Sequence, residues 1–265
     1  MLKEEYYSEI TARFGGVKRA RGIFLYTEKG QRVTDMYLEN GRAILGWGNG
    51  NGTNGTNAFL KLKNIINRGL TGSFETDFQG QLDHAVSDLL NAQCKAFVFF
   101  DEDKAEKAAL SFSKRLVKYV PWVGLVHNDE PVNDFECVLI TPPLPWTDNL
   151  FILAVRNDIT TLFLPERVSG AIFGALARAI YDLIAELPCR QEKDWFLYDV
   201  FLKDYFVRRG CYLYPKVAKD KYDEFVKHCL DCNLAISPDY SVPSIVPFGA
   251  DKGVFNLLKK NPWKD

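Results

Sequence analysis

Ala96-Phe97-Val98-Phe99-Phe100-Asp101-Glu102-Asp103-Lys104-Ala105-Glu106-Lys107-Ala108-Ala109 carries the pattern that sets the fold class. Its first five residues form a short, continuous apolar run, the signature of a strand buried on both faces. An acidic turn follows, and then a helix predicted from Lys104 to about Tyr119. Further along, Cys137-Val138-Leu139-Ile140 is a second buried strand, ending in Thr141-Pro142-Pro143. Leu150 to Val155 is a third strand, and Thr161-Leu162-Phe163-Leu164 a candidate fourth. Ala58 to Arg68 and Asp77 to Asn91 read as helices, the latter through the apolar stripe Leu82, Val86, Leu89 and Leu90. Pro165-Glu166 opens a long helix to Leu187, in which Gly170 and Gly174 allow close backbone approach. Strands alternating with helices predict an α/β fold with a mostly parallel sheet.

The flanks read differently. Ile23-Phe24-Leu25-Tyr26 and Arg32 to Tyr37 form a hairpin about the turn Glu28-Lys29-Gly30. The segment Gly46 to Asn57 holds glycines and asparagines that favour turns and left-handed backbone. It lacks the Gly-Lys-Ser/Thr or dinucleotide spacing of a phosphate loop, so a connection is expected. After Asp194 the order is helix (Trp195 to Arg209), turn, strand, then helix (Lys219 to Leu234). Pro243-Ser244-Ile245-Val246-Pro247 ends it as an edge or extended segment, because proline cannot join a central ladder.

Composition narrows the function classes. In 265 residues, 47% are hydrophobic and 14% aromatic, with a formal net charge of -1. This excludes intrinsic disorder and any nucleic-acid binder relying on bulk positive charge. The N-terminus lacks the apolar stretch of a secretory signal. The most apolar long segment, Val168 to Leu187, carries Arg178, Asp182 and Glu186, so no membrane span is expected. A cytoplasmic protein with six reduced cysteines follows. His228-Cys229-Leu230-Asp231-Cys232 lacks the second ligand pair of a zinc site, so no metal is expected. Helical spacing places these cysteines on a helix near its end.

The order of patterns resembles class III (ornithine/glutamate-semialdehyde type) pyridoxal-phosphate-dependent (PLP-dependent) aminotransferases. Arg21-Gly22-Ile23-Phe24-Leu25-Tyr26, Arg32-Val33-Thr34-Asp35-Met36-Tyr37 and Ile44-Leu45-Gly46-Trp47 are similar to the opening of that family. Phe99 to Ala109 sits where the family has a strand, a small-residue turn and a helix. Arg209-Gly210-Cys211-Tyr212-Leu213-Tyr214-Pro215, Ile236-Ser237-Pro238 and Pro243 to Pro247 resemble its C-terminal small domain. The resemblance implies aminotransferase fold type I, shortened and degenerate, as a two-fold homodimer. Residues 1–57 would supply the N-terminal part of the small domain and the Gly/Asn loop. Residues 58–190 would form a reduced large α/β domain, and 191–265 the rest of a small α+β domain built from both chain ends.

Pyridoxal chemistry requires a phosphate cup, an acid opposite the pyridine nitrogen and a Schiff-base lysine. The cup is normally a helix N-terminus with small residues. Here that turn is Asp101-Glu102-Asp103, whose carboxylates cap the helix and repel a phosphate dianion. The acid should follow Ile140, where Thr141 offers only a hydroxyl; Asp148 is a second candidate, assigned to the next turn. No lysine occurs between Lys118 and Lys193. Arg156 is the base near the expected place, and a guanidinium stays protonated. Lys104 and Lys107 read as exposed helix charges beside Glu102 and Glu106.

The other constellations are sparse. His84 falls on an amphipathic helix, His127 in the polar turn His127-Asn128-Asp129-Glu130, and His228 beside Cys229. No Gly-x-Ser-x-Gly or His-Glu-x-x-His motif exists. The expectation is a noncatalytic aminotransferase-like protein, a pseudoenzyme without catalytic, cofactor-binding or metal residues and without PLP. It would bind a small molecule or a protein partner, with Trp122, Trp146 and Trp263 as candidate anchors. The alternative is an active PLP-dependent aminotransferase or aminomutase with a relocated lysine. A third reading couples the acidic turn to His127 or Arg156 in cofactor-free chemistry.

Overall fold

The computed structural model describes residues 1–48, 55–72, 74–146, 150–160, 163 and 166–264. Its elements run α1 (Lys3–Phe14), β1 (Val17–Arg21), β2 (Phe24–Thr27), β3 (Arg32–Asp35), α2 (Ala58–Asn67), α3 (Phe78–Leu90), β4 (Cys94–Phe99) and α4 (Glu102–Leu110). Next come β5 (Val117–Val120), β6 (Gly124–His127), β7 (Glu130–Pro131), β8 (Cys137–Ile140), β9 (Phe151–Arg156) and α5 (Gly170–Glu186). The chain closes with α6 (Glu192–Phe196), α7 (Asp199–Leu202), β10 (Phe206–Arg209), β11 (Tyr212–Pro215), α8 (Tyr222–Asp231), β12 (Leu234–Ala235), β13 (Ser244–Ile245) and α9 (Asn256–Lys260). Two compact units result, Met1–Gly55 with Arg190–Asp265, and Thr56–Cys189.

The central unit holds a six-stranded sheet in the order β4-β9-β8-β5-β6-β7. Strand alternation sends successive side chains to opposite faces. Val98, Val138, Ile140, Ile152 and Ala154 therefore pack on the α2, α3 and α5 side. Phe99, Cys137, Leu139, Leu153 and Val155 pack against Ala105, Ala108 and Ala109 of α4. The apolar runs of the sequence are thus strands covered on both faces.

The sheet is not mostly parallel, as the sequence predicts. Among its described pairs only β5–β8 is parallel. Parallel neighbours need a crossover of about a dozen residues or more. The connections β5–β6, β6–β7 and β8–β9 are shorter, and the first two are tight hairpin turns. The β6–β7 turn, Asn128-Asp129, has φ of 50° and 64°, the left-handed pair that a two-residue hairpin favours.

Several element boundaries also move. The helix predicted over 104–119 stops at Leu110, and Val117–Val120 is a strand. The long helix starts at Gly170 rather than Pro165, where the Ser169 side chain accepts from Ala171 N as N-cap. The helix predicted over 195–209 is two short helices and strand β10. Helix α1 leaves little trace in the sequence, because Tyr6, Ile10 and Phe14 are its only buried residues. The expected strand 161–164 lies outside the described residues except for Phe163, as does 49–54 of the Gly/Asn loop.

Close approach in the helical layer depends on Gly174. A Cβ there would lie 2.5 Å from Ile65 Cδ1 and 3.2 Å from Phe78. Asp182, also on α5, holds the start of α2: Oδ2 accepts from Thr56 Oγ1 and Asn57 N, both at 2.7 Å. Its Oδ1 lies 2.6 Å from Arg178. Asn57 makes no side-chain cap, and α2 has no acid in its first turn. Thr56 Oγ1 in turn accepts from Ala58 N at 3.1 Å, and the Asp182 carboxylate adds the negative charge that the first turn of α2 lacks.

The edge of β4 is covered by the same layer. Residues Cys94 and Ala96 point their backbone groups away from β9, towards α3. Asp83 Oδ1 accepts from Ala96 N at 2.8 Å, and Gln79 Nε2 donates to Ala96 O at 2.8 Å. Ser87 Oγ accepts from Cys94 N at 3.0 Å and lies 3.3 Å from Cys94 O.

The other unit joins both chain ends. Its four-stranded sheet has the order β1-β2-β3-β12, in which β12 pairs parallel to β3. A three-stranded sheet, β10-β11-β13, lies in the same unit. The N-terminal amine bonds Asp223 at 2.6 Å and Pro238 O at 3.1 Å. After β3 the backbone makes a left-handed turn, with φ of 50°, 50°, 56° and 77° at Leu38, Glu39, Asn40 and Gly41. Asp35 anchors it: Oδ1 accepts from Tyr37 N at 3.0 Å and Leu38 N at 2.8 Å, while Oδ2 accepts from Trp47 Nε1 at 2.8 Å.

Candidate functional site

Strands β4, β5 and β8 run in one direction, so their carboxyl ends share one edge of the sheet. That edge is where ligands bind in open α/β sheets. At it, β4 leads through Phe100 into α4. The turn forms because Asp101 takes an extended conformation and its side chain accepts from Lys104 N at 2.9 Å, closing the first turn of the helix. Glu166 then reaches in from the segment before α5. Its Oε2 accepts from Phe100 N at 2.8 Å, and its Oε1 bonds Lys104 Nζ at 2.8 Å. Glu102 and Glu106 both contact Lys118 Nζ, at 3.0 and 2.9 Å.

These contacts fix the charge states. The Lys104 ammonium beside it holds the Glu166 carboxyl below its ordinary range, with partial burial opposing and the Phe100 N–H assisting. Glu166 in turn pushes the Lys104 pKa up. Burial works against the Lys118 ammonium, but bonds to Glu106 and Glu102 outweigh it and its pKa also rises. Lys104 and Lys118, each paired to glutamate, are thereby held in the ammonium form.

The remaining candidates are dispersed. Thr141 directly follows β8 and is half-buried, while Asp148 lies outside the described residues. Lys107 is exposed on α4. Arg156 pairs with Cys94 in the ladder, at the opposite end of β4 from the acidic turn, and chelates Asp158 at 3.0 and 2.7 Å. His127 ends β6 at that same far edge; its Nδ1 donates to Leu116 O at 2.8 Å and its Nε2 faces Asn128 Nδ2 at 3.2 Å. The structure therefore does not bring His127 or Arg156 to Asp101. A strand carries its two ends to opposite edges, and sequence spacing did not reveal the direction of β6 and β9.

His84 stands exposed on α3, and His228 Nε2 donates to Asn261 O at 2.9 Å. Cys229 and Cys232 are buried at the end of α8, where burial pushes both thiols up. Among the described residues no group of three or more His, Cys, Asp or Glu could hold a metal ion. The three tryptophans are half-buried rather than projecting. Trp122 Nε1 donates to Leu187 O, Trp146 stacks on Phe59 at 5.8 Å, and Trp263 packs against Phe225 and His228. Glu166 went unrecognised because nothing in Pro165-Glu166-Arg167 signals a partner 66 residues away.

No helix among the described residues is long and apolar enough to cross a membrane. No family model matches the chain. An uncharacterized protein of Treponema pallidum is 27% identical, covering 92% of each chain. Another from Borreliella burgdorferi is 25% identical over 92% of this chain and 88% of its own. Among solved structures, an ornithine aminotransferase of Plasmodium yoelii superimposes with a TM-score of 0.65 at 13% identity, over 98% of this chain and 97% of that one. An acetylornithine aminotransferase of Elizabethkingia anophelis gives 0.65 at 10% identity, over 98% of both. An omega-transaminase of Sphaerobacter thermophilus gives 0.65 at 9%, over 92% of this chain and 90% of that one. The chain has a mixed α/β, aminotransferase-like fold.

Proposed function

We propose that the protein is a noncatalytic member of this fold, a degenerate form that acts by binding a ligand or a partner and uses no pyridoxal phosphate. The observation carrying this reading is the occupation of the strand–turn–helix junction by the chain's own carboxylates. A phosphate held there would need free backbone N–H groups and positive potential. Phe100 N and Lys104 N are already bonded to Glu166 and Asp101, and Glu102 and Asp103 add negative charge. The residues present do not fit the cofactor.

The lysine supply supports the same reading. The sequence between Lys118 and Lys193 contains none. Lys104, the amine at the junction, has its pKa raised by Glu166. Attack on an aldehyde needs the neutral amine, so this shift works against it.

The test is incubation of the purified protein with pyridoxal phosphate, followed by absorbance, borohydride reduction and peptide mapping. The expected result is no aldimine band and no phosphopyridoxyl-lysine. A single stoichiometrically labelled lysine would overturn the proposal in favour of an active aminotransferase or aminomutase with a relocated lysine. The position of the label would identify that residue.

A further inference from the structure

We propose that the exposed face of β1, β2 and β3 is a binding site for a free nucleotide, a planar ring carrying phosphate. The ladder sets this face. Arg19 pairs with Tyr26 and Arg21 with Phe24 across β1–β2, while Tyr26 pairs with Arg32 across β2–β3. Residues directly opposite share a face, so Arg19, Arg21, Phe24, Tyr26 and Arg32 stand together. Arg19, Arg21, Tyr26 and Arg32 are exposed.

The guanidinium groups are ordered by rings rather than by acids. Arg32 Cζ lies 4.4 Å from the centroid of Phe24, and Arg19 Cζ lies 5.6 Å from that of Tyr26. Neither these arginines nor Arg21 holds a carboxylate among the described residues. By contrast Arg13, Arg156, Arg178 and Arg208 each do. Arg19, Arg21, Phe24, Tyr26 and Phe248 line a cavity of about 520 Å³. That volume lies within the range of small-ligand sites, about 300–1,000 Å³.

Each feature bears on ligand class. Unpaired guanidinium forks favour phosphate, which they grip bidentately. Guanidinium groups lying over aromatic rings offer a surface against which a base can lie. Charges on an edge strand also deter strand pairing, which accounts for Arg19 and Arg21. It does not account for Arg32, which belongs to an interior strand. A long polyanion is disfavoured by the net charge of -1. The site lies wholly in the unit built from both chain ends and is independent of the noncatalytic reading.

Isothermal titration calorimetry with ADP, tripolyphosphate and a single-stranded oligothymidylate tests the proposal on the full chain. Saturable binding of ADP is expected, weaker by about tenfold or more in Arg19→Ala/Arg21→Ala, the loss of a bidentate contact. Tyr26→Ala should weaken it and Tyr26→Phe preserve it. All of these side chains are exposed, and circular dichroism verifies that the variants fold. No saturable ADP binding, or binding indifferent to the double variant, would overturn the site. Equal affinity for tripolyphosphate would reduce it to a bare anion patch and overturn the nucleotide assignment. Oligothymidylate binding that exceeds ADP binding and falls steeply with salt would overturn it in favour of nucleic acid.

Discussion

Two buried aspartates do different work with similar contacts. Asp182 meets Thr56, Asn57 and Arg178, and so connects the start of α2 to the middle of α5. Its replacement by alanine strands a buried hydroxyl and a backbone N–H, a cost of about 2–3 kcal/mol. Chemical denaturation of Asp182→Ala should show that loss as a lower midpoint with an unchanged slope. Asp35 is enclosed completely enough that burial pushes its pKa up to about 6, although Leu38 N, Trp47 Nε1 and Tyr37 N all favour the carboxylate. A carboxyl raised in the folded state favours folding in its protonated form. That contribution is full below the unfolded value near 4 and is lost as pH rises through about 6. Wild type should therefore gain stability over Asp35→Asn as pH falls from 7 to 4.5, measured as the difference between their unfolding free energies. Carboxylates common to both proteins cancel in that difference.

At the scale of elements, α3 and the edge of β4 match by arithmetic. Four residues of helix advance about 6 Å, and two residues of strand about 6.6 Å. Gln79, Asp83 and Ser87, four apart, thus meet the edge groups of Ala96 and Cys94 in succession. Asp83→Ala/Ser87→Ala exposes that edge, and unpaired edges invite association between chains. Light scattering during storage near the unfolding midpoint should rise well above wild type, with the single Gln79→Ala variant staying close to wild type. The apolar periodicity of α3 was legible in Leu82, Val86 and Leu89. The polar ladder on its flank was not, since Gln, Asp and Ser at such spacing look like any solvated face. The buried strands were legible for the same reason the sheet direction was not: composition reports burial, whereas direction depends on connection length. The Asp101 cap is legible in the sequence, because capping is local. Glu166 completes it from far along the chain, and no local rule reaches that far.

The molecule as a whole places one unit inside the sequence of the other. Residues 56–189 carry a sheet with cores on both faces. Expressed alone, they should unfold cooperatively in thermal circular dichroism. Residues 1–55 alone should show no transition, because β3 then lacks β12 and the N-terminus lacks Asp223. The left-handed turn that follows β3 has a consequence in stereochemistry. For an L residue such a backbone costs roughly 1–2 kcal/mol, and three successive residues before Gly41 bear it. A D residue has the mirrored preference. In a semisynthetic chain, D-alanine at position 40 should raise the melting temperature relative to L-alanine at the same place, so that this one segment of an L protein is better written in the opposite hand.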